Sequence, residues 1–110
     1  MTEKEKKPTE QEIRKATKQL DSLLEKPEVF NILSEMADND RSFGKARANP
    51  RKFLKEKGVN VPDNVEITLE QKALALKIRV TITICITFCI IIRGFVICRR
   101  TCVSGTVVLG

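Results

Sequence analysis

Four cysteines, Cys85, Cys89, Cys98 and Cys102, sit symmetrically about Arg93-Gly94 in the last third of the chain. The chemistry this spacing serves is disulfide formation. If Arg93-Gly94 is a two-residue hairpin turn, Cys89 faces Cys98 and Cys85 faces Cys102. Ile92 and Phe95 then form the first hydrogen-bonded pair, and both cysteine pairs fall on non-hydrogen-bonded sites. There the Cα atoms approach to about 4.5 Å, within disulfide range. Cysteines four apart on one strand would be roughly 13 Å apart, too far to bond each other. Gly94 suits positive φ, whereas Arg93 is strained at a position where Asn, Asp or Gly is usual.

The strands needed to position these cysteines are legible. Ile78, Val80, Ile82, Ile84, Ile86, Phe88, Ile90 and Ile92 alternate with Arg79, Thr81, Thr83, Cys85, Thr87, Cys89, Ile91 and Arg93, the period of two that marks a strand. Folding the chain back adds Phe95, Ile97, Val103, Val107 and Leu109 to the apolar face, with Arg99, Thr101 and Gly105 as exceptions. The other face collects Thr81 opposite Thr106, Thr83 opposite Ser104, Thr87 opposite Arg100, and both cysteine pairs.

Charge divides the chain. All 14 acidic residues lie at or before Glu70, while Lys77, Arg79, Arg93, Arg99 and Arg100 follow with no acid among them. A nearly neutral front is thus joined to a cationic, Ile-rich tail, which suggests two parts with different fates rather than one shared core. The chain has no His, Trp or Tyr. Lacking His, it lacks the commonest general base and a common metal ligand; no enzyme activity, cofactor or metal site is expected.

At 110 residues there is room for one small domain and an appendage. Thr9 with Glu12 forms a capping box, and Ile13, Ala16, Leu20, Leu23 and Leu24 make a helical stripe that stops before Pro27, giving a helix near 10–26. Val29, Phe30, Ile32, Leu33 and Met36 suggest a second helix, ended by Asp38-Asn39-Asp40, and Phe43, Ala46 and Ala48 a third. Asn49 and Pro50 supply an N-cap and first-turn proline for a helix closed by Gly58. Val65, Ile67 and Leu69 alternate with Glu66, Thr68 and Glu70, a short final strand. The expected class is α+β: a helical region over 1–72 ending in that strand, then a two-stranded hairpin within 73–110.

The run from Phe43 to Ile67, with Asn49-Pro50-Arg51, Leu54, Gly58 and Val61-Pro62-Asp63 leading into Val65-Glu66-Ile67, resembles the nitrile hydratase-like leader peptide family, the proteusin group among its members. The likeness covers roughly residues 8–70 and does not reach the tail. It implies a ribosomally made natural product precursor in which a leader recruits maturation enzymes and a C-terminal core is cut off by a leader protease and exported. Asn49, Pro50, Leu54, Gly58, Val61, Pro62 and Val65 would be its motif positions. Recognition would use exposed charges or the Val65 to Glu70 edge, which could add to an enzyme's sheet. The precursor would be cytoplasmic and the mature core secreted. Nitrile hydratase α subunits bind metal through Cys-x-x-Cys-Ser-Cys; Cys98-Arg99-Arg100-Thr101-Cys102-Val103-Ser104 has a different spacing and one thiolate fewer, so a metal-binding fragment is the weaker reading.

Cys85 to Cys102 is similar to hairpin antimicrobial peptides of the tachyplesin and arenicin type, with an Arg-Gly turn, β-branched flanks and cross-strand disulfides. It differs in its wider inner cysteine spacing and fewer charges. The alternative is thioether chemistry of the lanthipeptide kind, using Thr81, Thr83 and Thr87 ahead of Cys85 and Cys89; it does not require the symmetry about Arg93-Gly94. Val80 to Ile92 is thirteen residues, short of the roughly 20 of a spanning helix, and Lys4 to Lys7 is followed by no apolar run of a secretory signal. The functional expectation is a released, membrane-active hairpin. Lys77, Arg79, Arg93, Arg99 and Arg100 would attract an anionic membrane, nucleic acid is not an expected partner, and cleavage falls between residues 70 and 78. A small stand-alone helical domain with an aggregation-prone β-edge is the competing interpretation.

Overall fold

A computed structural model describes residues 7–38 and 40–108. Within them the chain forms α1 (Glu10–Leu24), α2 (Pro27–Asp38), α3 (Asp40–Ala48) and α4 (Pro50–Glu56), followed by β1 (Val65–Leu76), β2 (Arg79–Ile92) and β3 (Phe95–Val108). The fold is α+β, as expected. Asn39 and Leu109, named above for a helix break and the apolar face, lie outside the described residues.

Local chemistry sets the helix limits. The Thr9 hydroxyl accepts from the Glu12 backbone N–H at 3.1 Å, and the Glu12 carboxylate accepts from the Thr9 N–H at 2.8 Å. Two orphan donors of the first turn are thereby satisfied. Asn49 caps α4 by accepting from the Lys52 N–H at 3.2 Å, with Pro50 just inside. Gly58, at φ 94°, reverses the chain after α4, and the Val59 N–H bonds back to the Leu54 carbonyl at 2.8 Å. Positive φ is what glycine tolerates best.

The tail is not a separate two-stranded hairpin. β1 runs on to Leu76 and pairs antiparallel with β2, so the sheet has three strands in the order β1-β2-β3. β2 is its central strand, and each of its edges needs a hydrogen-bonding neighbour. The Val65, Ile67 and Leu69 alternation places those residues opposite Ile90, Phe88 and Ile86, so the apolar faces of both strands coincide. Ile78, expected in the strand, lies instead with Lys77 in the tight turn between Leu76 and Arg79.

Nor do the two halves have separate cores. Ile84, Ile86, Phe88 and Ile90 of β2 are buried with Leu20, Leu33, Met36, Leu54 and Val65 in one continuous cluster. The helices lie on one face of the sheet, α1 and α2 against β2 and β3, α3 and α4 against β1. Uneven charge along the sequence did not divide the core, because burial follows the apolar faces and the charges lie outside it. Within the helical stripes, Ile13 and Phe30 are exposed rather than buried.

Candidate functional site

The stapled ribbon is the candidate site. The β2–β3 register places Cys85 opposite Cys102 and Cys89 opposite Cys98, as the symmetry about Arg93-Gly94 requires. Both pairs are disulfide-bonded, with S–S 2.02 Å and 2.00 Å and Cα separations of 4.1 Å. The turn has Arg93 at φ 50° and Gly94 at φ 85°. Left-handed backbone at both central residues matches the twist of the flanking strands. Arg93 accepts a conformation unusual for its type, and its side chain is anchored elsewhere.

The disulfides line the face turned away from the helices. Beside them Thr83 and Ser104 hydroxyls hydrogen-bond at 2.8 Å, and Thr81 and Thr106 at 3.2 Å. The register of β1 adds Glu66 opposite Cys89, Thr68 opposite Thr87 and Glu70 opposite Cys85. Two of the three exceptions on the apolar face have a local reason. Arg99 donates to Asp21 of α1 at 3.2 Å, and Gly105 leaves room for α2, since a Cβ there would stand 3.4 Å from the Ala37 Cβ.

The five cations expected to bind a membrane divide into two sets. Arg93 pairs with Glu12 at 2.8 Å, Arg99 with Asp21 at 3.2 Å and Arg100 with Glu70 at 3.6 Å. Each links the hairpin to an acid of the front region. The Glu12 carboxyl is held below its ordinary value, first by the Thr9 backbone N–H, with burial opposing and the Thr9 side chain and Arg93 contributing further. Lys77 and Arg79 make no ion pair among the described residues and lie at the far end of the ribbon.

The motif positions of the front region are structural. Leu54 and Val65 are fully enclosed, Val61 is buried, and Asn49, Pro50 and Gly58 shape the ends of α4. Pro62 belongs to the turn into β1, its carbonyl accepting from the Val65 N–H at 3.0 Å. Arg51 ties this turn together by donating to the Val61 and Pro62 carbonyls at 2.6 Å and 2.8 Å and also to the Val65 carbonyl. That role depends on how the turn packs against α4 and has no local signature in the sequence. Val65 to Glu70 is part of an edge strand whose other side pairs with β2.

Among the described residues no group of three His, Cys, Asp or Glu side chains is arranged to hold a metal ion. No helix among them is long and apolar enough to cross a membrane. Comparison with protein families, curated proteins and solved structures finds no match.

Proposed function

We propose that the chain is a non-enzymatic precursor whose cationic, disulfide-stapled hairpin is cut from the helical region, exported and active on anionic membranes. The carrying observation is covalent: both disulfides close within β2 and β3, and neither ties the hairpin to the front region. A single main-chain cut between Glu70 and Ile78 therefore leaves two bodies joined only by noncovalent contacts. Within that stretch Lys77 and Ile78 form an exposed turn outside the β1–β2 ladder, the point where a protease has easiest access. An isolated two-stranded hairpin is marginal in water. Each bridge adds about 2–4 kcal/mol, enough to hold the freed hairpin together.

Release would alter the hairpin in two ways. Ile84, Ile86, Phe88 and Ile90 would lose their helical cover, and Arg93, Arg99 and Arg100 would lose their carboxylate partners. The product combines an apolar face with free cations, a pairing suited to the interface of an anionic bilayer. Maturation enzymes would recognise exposed charges of the front region or the outer edge of β1. The precursor is assigned to the cytoplasm and the released hairpin to the exterior, where disulfides persist.

The test uses a site-specific protease sequence inserted between Lys77 and Ile78, with dye leakage from phosphatidylglycerol-containing vesicles as the readout. The uncut protein should be silent, the cut protein should cause leakage, and reduction should abolish it. Equal leakage before and after cutting, or none in either state, contradicts the proposal.

The shared core supports a second reading, a stand-alone α+β binding module. Phe88 and Ile86 are fully buried against the helices, as in a domain that stays whole. In that case the cut hairpin remains docked and the vesicles stay sealed.

A further inference from the structure

The β1–β2 end of the ribbon extends past the helices. Phe43 and Arg47 of α3 line a shallow cavity with Leu69 to Lys72 of β1, and every residue from Glu70 to Arg79 is exposed. Leu74, Leu76 and Ile78 are exposed to 58%, 62% and 58%, and Val107 and Val108 of β3 are exposed at the same end of the ribbon, as Ile91, Phe95 and Val96 are at the other. Leu74 and Leu76 share the outer face, and Ile78 sits in the turn that joins β1 to β2. Lys72, Lys77 and Arg79 surround them and make no ion pair among the described residues. The last acid of the chain is Glu70, and it faces Arg100.

We propose that this tip docks the intact, uncut chain onto an anionic lipid surface, with Leu74, Leu76 and Ile78 entering the interface and Lys72, Lys77 and Arg79 meeting the headgroups. Charge complementarity selects this occupant. A second copy would bring like charges together at the same tip, whereas acidic headgroups neutralise them. The turn presents the apolar side chains at the end of a ribbon instead of within a groove, a shape suited to shallow insertion. Docking goes beyond the release of the hairpin, because it uses residues on both sides of the cleavage region while they are still joined. The core-covered face of β2 takes no part.

Each basic residue near an anionic surface strengthens binding by about fivefold. The test is co-sedimentation of the oxidised full chain with vesicles of mixed phosphatidylcholine and phosphatidylglycerol, against phosphatidylcholine alone. The native chain should sediment with the mixed vesicles only. Lys77→Glu with Arg79→Glu should weaken binding by at least about tenfold, while Lys52→Glu with Lys55→Glu on α4, an equal change of charge, should leave most of it. The chain has no Trp, so Leu76→Trp and Phe30→Trp provide single reporters at the tip and on α2. Vesicles should shift the emission to shorter wavelength at position 76 alone.

Equal loss from the α4 and tip charge reversals overturns the proposal by showing attraction to net charge only. A shift at position 30 but not 76 assigns contact to the helices, and size-exclusion showing a dimer that Leu74→Ser with Leu76→Ser dissolves assigns the tip to a second copy. Either overturns it too. Circular dichroism of each variant confirms that the tip changes leave the fold in place. Because the readout is binding of uncut protein, its outcome is independent of leakage after cleavage.

Discussion

The helical layer and the stapled ribbon hold their shapes by different means. α1 to α4 depend on caps at their ends and on a shared core, since isolated helices of their length are marginal in water. β2 and β3 have a continuous hydrogen-bonded ladder and two covalent cross-links. The helices are thus expected to depend on the ribbon more than the ribbon depends on them, although Ile84, Ile86, Phe88 and Ile90 share their core.

The largest effect is expected where the two regions meet. Phe88→Ala removes the largest fully buried side chain and should cost about 3–5 kcal/mol, read by chemical denaturation with circular dichroism. Helix signal should be lost first, with the β2–β3 ladder still protected in amide exchange because its two cross-links remain. Loss of helix and ladder together would remove the distinction between the two regions. Next come the bridges. Cys85→Ser with Cys102→Ser opens a link spanning 17 residues and should cost about 3 kcal/mol. The inner pair, spanning 9, should cost about 2.5 kcal/mol. Equal melting with and without both bridges would break the comparison.

Caps act on the helical side alone. Thr9→Ala removes the hydroxyl half of the capping box and should cost about 1 kcal/mol, with amide protection lost in α1 and kept in β2 and β3. The smallest effect is expected from acid. Because the Glu12 carboxyl is depressed in the folded chain, the stability it contributes is present above its ordinary value of 4.5 and lost as pH falls through the lower folded value. Glu12→Gln should flatten that part of the acid profile. Superimposable acid-unfolding curves for the two proteins would show that Glu12, and its link to Arg93, contributes nothing measurable.

The same division explains which parts of the fold were legible in the sequence. The cysteine register followed from spacing, because pairing across a tight turn is set by counting residues and was reinforced by the Arg93-Gly94 turn. The Thr9 and Asn49 caps were legible because they act over three residues. The β1–β2 pairing was not, since its turn, Lys77-Ile78, has none of the Gly, Asn or Asp that mark hairpins. From Ala73 to Leu76 both strand faces are apolar, so alternation faded where the tip leaves the core. Cross-region pairs such as Arg99 with Asp21 depend on packing of α1 on β3 and have no local signature. Ile13 and Phe30 belong to apolar stripes but face outward, because the helices present only part of each stripe to the sheet.

The most direct test of the central claim is the intact mass of the product from the producing cells, with fragmentation after partial reduction. A fragment beginning between residues 70 and 78, four hydrogens lighter than its sequence and with Cys85 linked to Cys102 and Cys89 to Cys98, is the expected result. Full-length protein accumulating uncut, whatever the state of its thiols, would contradict release and leave the chain as a whole-domain binding module; losses of water from the fragment would replace the disulfides with thioethers.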